Sequence, residues 1–120
     1  MDTPREAGPQ PDILDPEAVE RVRAHPLSEG LTAQVAEIFK ALADPTRVRI
    51  IAALIDGPRN VSDISQAINL SESAVSHQLR GLRQMRLVRA QKQGREVYYN
   101  LDDEHVVDLF QRGLDHVRHG

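Results

Sequence analysis

SESAVSHQLRGLRQM, residues 71–85, is the stretch whose reading decides the fold. Ala74, Val75, Leu79, Leu82 and Met85 recur at helical steps, so one face of a helix can enter a core. Ser71 stands where free backbone N–H groups need an acceptor, and it reads as the cap. Ser73, Ser76, His77, Gln78, Arg80 and Arg83 fall largely off the apolar stripe. With Ser71 they form a compact set of polar groups of the kind that docks in a DNA major groove and against the flanking phosphates. A solvated helix with no nucleic-acid partner would carry the same residue types, and the flanks decide between the two readings.

Upstream, residues 63–68 form a second helix for which Ser62 is a good cap, and Asn69-Leu70 make the turn into the first. Helix, tight turn, helix is the helix-turn-helix arrangement, with Ile64, Ala67, Ile68 and Leu70 expected to bury against Val75 and Leu79. Asn60-Val61 reads as a short extended piece. Asp44-Pro45 marks an earlier helix start, a cap followed by a first-turn proline. Arg47, Val48, Ile50, Ile51, Leu54 and Ile55 follow, and Asp56-Gly57-Pro58 ends that helix. Residues 32–43 hold Val35, Ala36, Ile38, Phe39 and Leu42 in helical register. Pro16 opens a short helix over 17–24 that Pro26 interrupts. Residues 1–16 hold four of the seven prolines and read as a disordered arm, leaving 17–120 as one domain.

Downstream, residues 87–91 and 96–100 alternate like short strands, with Lys92-Gln93-Gly94-Arg95 as the turn. That is a two-stranded wing whose tip carries Lys92 and Arg95. Two cations one element away from an arginine-bearing helix favour a phosphate contact over a bare hairpin. The fold class is therefore mainly α with a β-hairpin wing, a winged helix-turn-helix.

Charge is distributed to match. The chain has 120 residues and a formal net charge of only −3. Residues 71–95 nevertheless carry six basic side chains (Arg80, Arg83, Arg86, Arg89, Lys92, Arg95) against Glu72 alone. Residues 96–120 reverse this, with six acidic against two basic. A positive zone bounded by negative ones can bind a polyanion although the total is acidic. There is no cysteine, which excludes disulfides, thiolate metal sites and cysteine nucleophiles. No apolar run approaches membrane-spanning length and the amino terminus lacks a signal-peptide core, so a cytoplasmic protein is expected.

Residues 101–119 form the last helix, with Val106, Val107, Phe110, Leu114 and Val117 at three- and four-residue steps and Asp102 or Asp103 as cap. Only Gly120 follows, so the expected partner for this helix is its own copy in a second subunit, helped by the chain's first helices. A homodimer would also double the DNA footprint. Three of the five histidines sit here: His105, His116 and His119. At about 100° per residue they occupy one side of the helix. His105 and His116 are nevertheless about 16 Å apart along the axis. No single metal reaches both within one helix, since Zn–N bonds are about 2.0–2.1 Å. Antiparallel pairing with a crossing near Phe110 and Gln111 would bring Asp103 and His105 of one subunit to the partner's His116 and His119. Each end would gain three imidazoles and one carboxylate, a tetrahedral set suited to Zn(II) or Co(II). With no open coordination position left, such a site is regulatory or structural rather than hydrolytic. Solvated helix histidines are the plainer alternative. His77 reads as a DNA contact or packing residue, and His25 as at most an accessory ligand with Asp63.

These pieces together resemble the ArsR/SmtB family of winged-helix metalloregulatory repressors over about residues 32–119. The most specific stretches are FKALADPTRVRIIAAL (39–54), LSESAVSHQLRGLRQMRLV (70–88) and GREVYYNL (94–101). The resemblance implies a homodimer on an inverted-repeat operator, with residues 73–83 in the major groove and the wing near the minor groove. It also implies an inducer that lowers DNA affinity. Asp103-x-His105 with His116-x-x-His119 is similar to the intersubunit site of the zinc- and cobalt-responsive branch. Other branches use cysteines, which this chain lacks. Nickel-sensing relatives recruit further nitrogen ligands, for which only His25 or the free amino terminus is available. The expectation is thus a Zn(II)- or Co(II)-released repressor and not an enzyme. A winged-helix regulator answering to nickel, to a non-metal signal or to none is the alternative.

Overall fold

The computed structural model describes residues 14–120. The elements are α1 (Pro16–Ala24), α2 (Glu29–Leu42), α3 (Pro45–Leu54), β1 (Arg59–Asn60), α4 (Val61–Ile68), α5 (Glu72–Gln84), β2 (Val88–Gln93), β3 (Glu96–Leu101) and α6 (Glu104–His119). This is a mainly α-helical winged helix-turn-helix. The chain divides within α2 into two units, Met1–Ala33 and Gln34–Gly120. In the first unit Asp15 caps α1 by accepting from Ala18 N at 3.0 Å, and no residue of that helix is buried. Of the arm expected over residues 1–16, residues 1–13 lie outside the described residues, while Asp15 and Pro16 start α1.

In the second unit the core is built by the stripes read from periodicity. Ile50, Ile51 and Leu54 of α3, Ile64 and Ile68 of α4, and Val75, Leu79 and Leu82 of α5 are buried together with Leu87, Val88 and Leu101. Caps fix where the helices begin, because each satisfies a backbone N–H that has no intrahelical acceptor. Asp44 Oδ2 accepts from Arg47 N at 3.0 Å, Ser71 Oγ from Ala74 N at 3.0 Å, and Asp103 Oδ1 from Val106 N at 3.1 Å.

Three expectations are corrected and one is extended. The cap of α4 is Asn60, whose Oδ1 accepts from Asp63 N at 2.8 Å. Ser62 lies within the helix, which starts at Val61 because Asn60 is still extended, with φ −88° and ψ 171°. Ala67 is exposed and Ser65 is buried in its place; the Ser65 hydroxyl donates to the Leu70 carbonyl, so its burial leaves no polar atom unpaired. The wing hairpin of β2 and β3 forms as expected, and a short third strand joins it at the base. β1 pairs with β3 on the side away from β2, giving a three-stranded antiparallel sheet of order β1-β3-β2. Finally, Lys92 and Gln93 extend β2, leaving a two-residue turn at Gly94-Arg95 where Gly94 takes φ 64°. Leu101 likewise closes β3, and α6 starts only at Glu104.

Candidate nucleic-acid interface and metal half-sites

The turn between α4 and α5 sets how the second helix leaves the first. Asn69 adopts the left-handed conformation that ends α4 (φ 58°, ψ 51°), a conformation asparagine tolerates. Arg49 Nη2 donates to the Ile68 carbonyl at 2.8 Å, satisfying another helix-end acceptor. α5 then buries Val75, Leu79 and Leu82 and turns Ser73, His77, Arg80 and Arg83 to solvent. Ser76 and Gln78 are half-buried. Lys92 and Arg95 are exposed at the end of the wing. Among the described residues no carboxylate is paired with Arg80, Arg83, Lys92 or Arg95. Their charge is therefore free for an external anion. Ser71 accepts the cap bond on its hydroxyl oxygen, which leaves its O–H and one lone pair for an outside partner. Gln78 is committed as well, since Arg47 Nε donates to its Oε1 at 2.8 Å. Nothing in local sequence spacing signals that contact.

α5 ends in a tight turn that runs straight into the wing. Arg86 takes φ 60°, Arg86 N donates to the Arg83 carbonyl at 3.0 Å, and Leu87 N to the Leu82 carbonyl at 2.9 Å. This is a Schellman-type ending with arginine where glycine is usual. The Leu87 carbonyl in turn accepts from Asp102 N at 3.0 Å, and the Arg89 guanidinium donates to the carbonyls of Leu101 and Asp102. The end of α5 is thus tied by backbone and side chain to the residue before Asp103.

Asp103 and His105 sit together at the start of α6, with His105 Nδ1 3.7 Å from Asp103 Oδ1 and the His105 side chain 96% exposed. His116 and His119 line a common hollow with Asp115 and Gly120 at the other end. Among the described residues no group of three or more histidine, aspartate or glutamate side chains comes together within one chain. The chain therefore carries two separated pairs, one at each end of α6. The donor chemistry suits a divalent cation: two imidazoles at one end, an imidazole and a carboxylate at the other. The Asp103 cap engages Oδ1 and leaves Oδ2 for a cation.

Between these ends α6 carries an apolar stripe that is only partly covered. No residue of α6 is buried. Val106, Val107 and Phe110 only half-cover themselves against the core. Phe39, Leu42, Val48, Leu109, Leu114 and Val117 line an open apolar cleft of about 340 Å³ with Phe110. Phe39 is 55% exposed and Val117 79%. Such a face is costly to leave in water. Among the described residues no helix is long and apolar enough to cross a membrane.

Residues 44–90 match the family model described as "Bacterial regulatory protein, arsR family". The transcriptional repressor SmtB homolog of Synechocystis sp. is 46% identical over 102 residues, which is 85% of this chain and 77% of that one. This chain belongs to the ArsR family. The HTH-type transcriptional regulator NmtR of Mycobacterium tuberculosis is 44% identical over 94 residues, 78% of either chain. The solution structure of apo-NmtR matches with a TM-score of 0.70 at 36% identity, covering 99% of this chain and 90% of that one. The homodimeric winged helix-turn-helix DNA-binding domain of Mb0332 from Mycobacterium bovis matches with a TM-score of 0.69 at 32% identity, covering 78% and 94%. Membership makes the chain a DNA-binding transcriptional regulator of a metal-responsive repressor family, and not an enzyme.

Proposed function

We propose that this chain is a metal-inhibited repressor, which binds an inverted-repeat operator as a homodimer and leaves it when Zn(II) or Co(II) binds between paired α6 helices. Ni(II) is the weaker candidate. The observation that carries the reading is the build of α6: an apolar stripe left partly exposed, with a pair of metal-binding side chains at each end. Running two copies antiparallel buries the stripe and brings Asp103 and His105 to the partner's His116 and His119 at both ends. The set is three nitrogens and one oxygen, twice per dimer, with no open position. A cation held there would supply a rigid tie between the protomers.

The chain's own residues supply the rest. Ser71, Ser73, Ser76, His77, Arg80 and Arg83 face the major groove or its phosphates, Gln78 lies on the same helix with its oxygen held by Arg47, and Lys92 and Arg95 reach the backbone from the wing. Successive half-sites lie about 34–36 Å apart, so DNA affinity depends on the spacing of the two α5 helices. The Leu87–Asp102 bond and the Arg89 contacts join α5 to the start of α6. A change in the α6 pairing therefore moves α5. A coupling of about 1–3 kcal/mol corresponds to a 5- to 150-fold loss of operator affinity, and operator must weaken metal binding by the same factor. Equilibrium dialysis tests the site: two zinc ions per dimer are expected, and none would remove the metal from the account.

A further inference from the structure

Gln78 stands on the helix assigned to base reading, yet its amide oxygen is turned to its own protein. Arg47 Nε of α3 donates to Gln78 Oε1 at 2.8 Å, and both side chains are half-buried. The Arg47 backbone is anchored as well, its N–H donating to Asp44 Oδ2 at 3.0 Å. Gly81, three residues beyond Gln78, sits against the same guanidinium: a Cβ there would stand 3.0 Å from Arg47 Nη2, so the guanidinium would have to give by a few tenths of an ångström. An adenine-reading glutamine presents both its oxygen and its NH2 to one base edge. Gln78 presents its oxygen to Arg47.

We infer that Arg47, Gln78 and Gly81 form a clamp that sets the roll of α5 on α3, making Arg47 and Gln78 positioning residues for DNA recognition rather than readers of bases. The inference rests on α5 being the recognition helix. α5 meets the core through Val75, Leu79 and Leu82, and apolar burial is non-directional. A charge-assisted hydrogen bond to one flank of the helix has a direction. With side chains a helix is about 10–12 Å across, so a roll of about 10° carries the tips of Ser73, His77 and Arg80 by about 1 Å. That exceeds the roughly 0.5 Å spread of good hydrogen-bond distances.

The test uses the full chain and the duplex it selects from a randomised pool, with a scrambled duplex as reference. Arg47→Met and Gln78→Met are each expected to lower affinity for the selected duplex about tenfold, and the double variant no further than either single one. The loss should spread over every base pair that is read, with the log–log salt slope unchanged. Arg47→Lys, which restores a donor, should recover part of the affinity. Gly81→Ala removes no polar group and improves helix propensity. It should keep or raise Tm while lowering affinity roughly threefold by displacing the guanidinium. Additive losses, a changed preference at a single base pair in Gln78→Met, or a slope lower by about one in Arg47→Met would each overturn the clamp. So would wild-type affinity in Gly81→Ala. A wild-type chain that selects no duplex would instead overturn the recognition-helix reading beneath it.

Discussion

α5 and α6 are both amphipathic helices, and their apolar stripes meet opposite fates. α5 buries Val75, Leu79 and Leu82 inside its own chain and turns its cationic face outward. α6, three residues longer, buries nothing; Leu109 and Val117 lie open beside Phe39. One helix is completed by its own fold and needs only a ligand. The other leaves part of its stripe exposed, which on the proposed reading a second copy covers. Each has its ligand-binding groups where its packing leaves them free: along the outer face of α5, and at the two ends of α6.

The contrast can be broken by substitution. Leu79→Ala should be the most damaging change, at about 2–5 kcal/mol of stability by chemical denaturation, because it opens a cavity in the shared core. Val117→Asp should leave the monomer fold in place and shift the monomer–dimer equilibrium toward monomer in sedimentation. A charge then enters a face that dimerisation would bury, at a cost of several kcal/mol. If Val117→Asp unfolds the chain instead, α6 is part of the monomer core and the contrast disappears. His116→Ala should abolish the zinc effect on operator affinity, a loss of about 1–3 kcal/mol of coupling. Metal-free operator affinity should stay within about twofold, as for an exposed surface position. Asp103→Asn is the most delicate. Asparagine caps as well as aspartate, so stability should change by only a few tenths of a kcal/mol, while zinc affinity measured by competition falls because the anionic oxygen is gone.

The parts of the molecule set by local rules could be read from residue order. The α5 stripe, the caps at Asp44 and Ser71, and the histidine spacing of α6 all follow from helix geometry and from N–H groups a few residues away. The same rules left the α6 cap between Asp102 and Asp103, and Asp103 takes it. What escaped was non-local. β1 is two residues long and exists only because β3 pairs with it, Arg59 opposite Tyr99 and Asn60 opposite Tyr98. Asn60 is extended within that pairing and caps α4, where Ser62 was expected to. Ser65 is buried because the Leu70 carbonyl accepts its hydroxyl hydrogen, which no periodicity encodes. The Arg47–Gln78 contact joins residues 31 apart, and it changes what Gln78 can offer DNA. In the candidate site the spacing of Asp103, His105, His116 and His119 along one helix was legible, whereas the apolar cleft that Phe39, Leu42 and Val48 share with α6 required the tertiary fold.

The most direct measurement is operator affinity of the full chain with and without saturating zinc, by fluorescence anisotropy at one salt concentration. A 5- to 150-fold weaker complex in zinc is the expected result for two α6 helices chelating between protomers. Equal affinity in both conditions would contradict it.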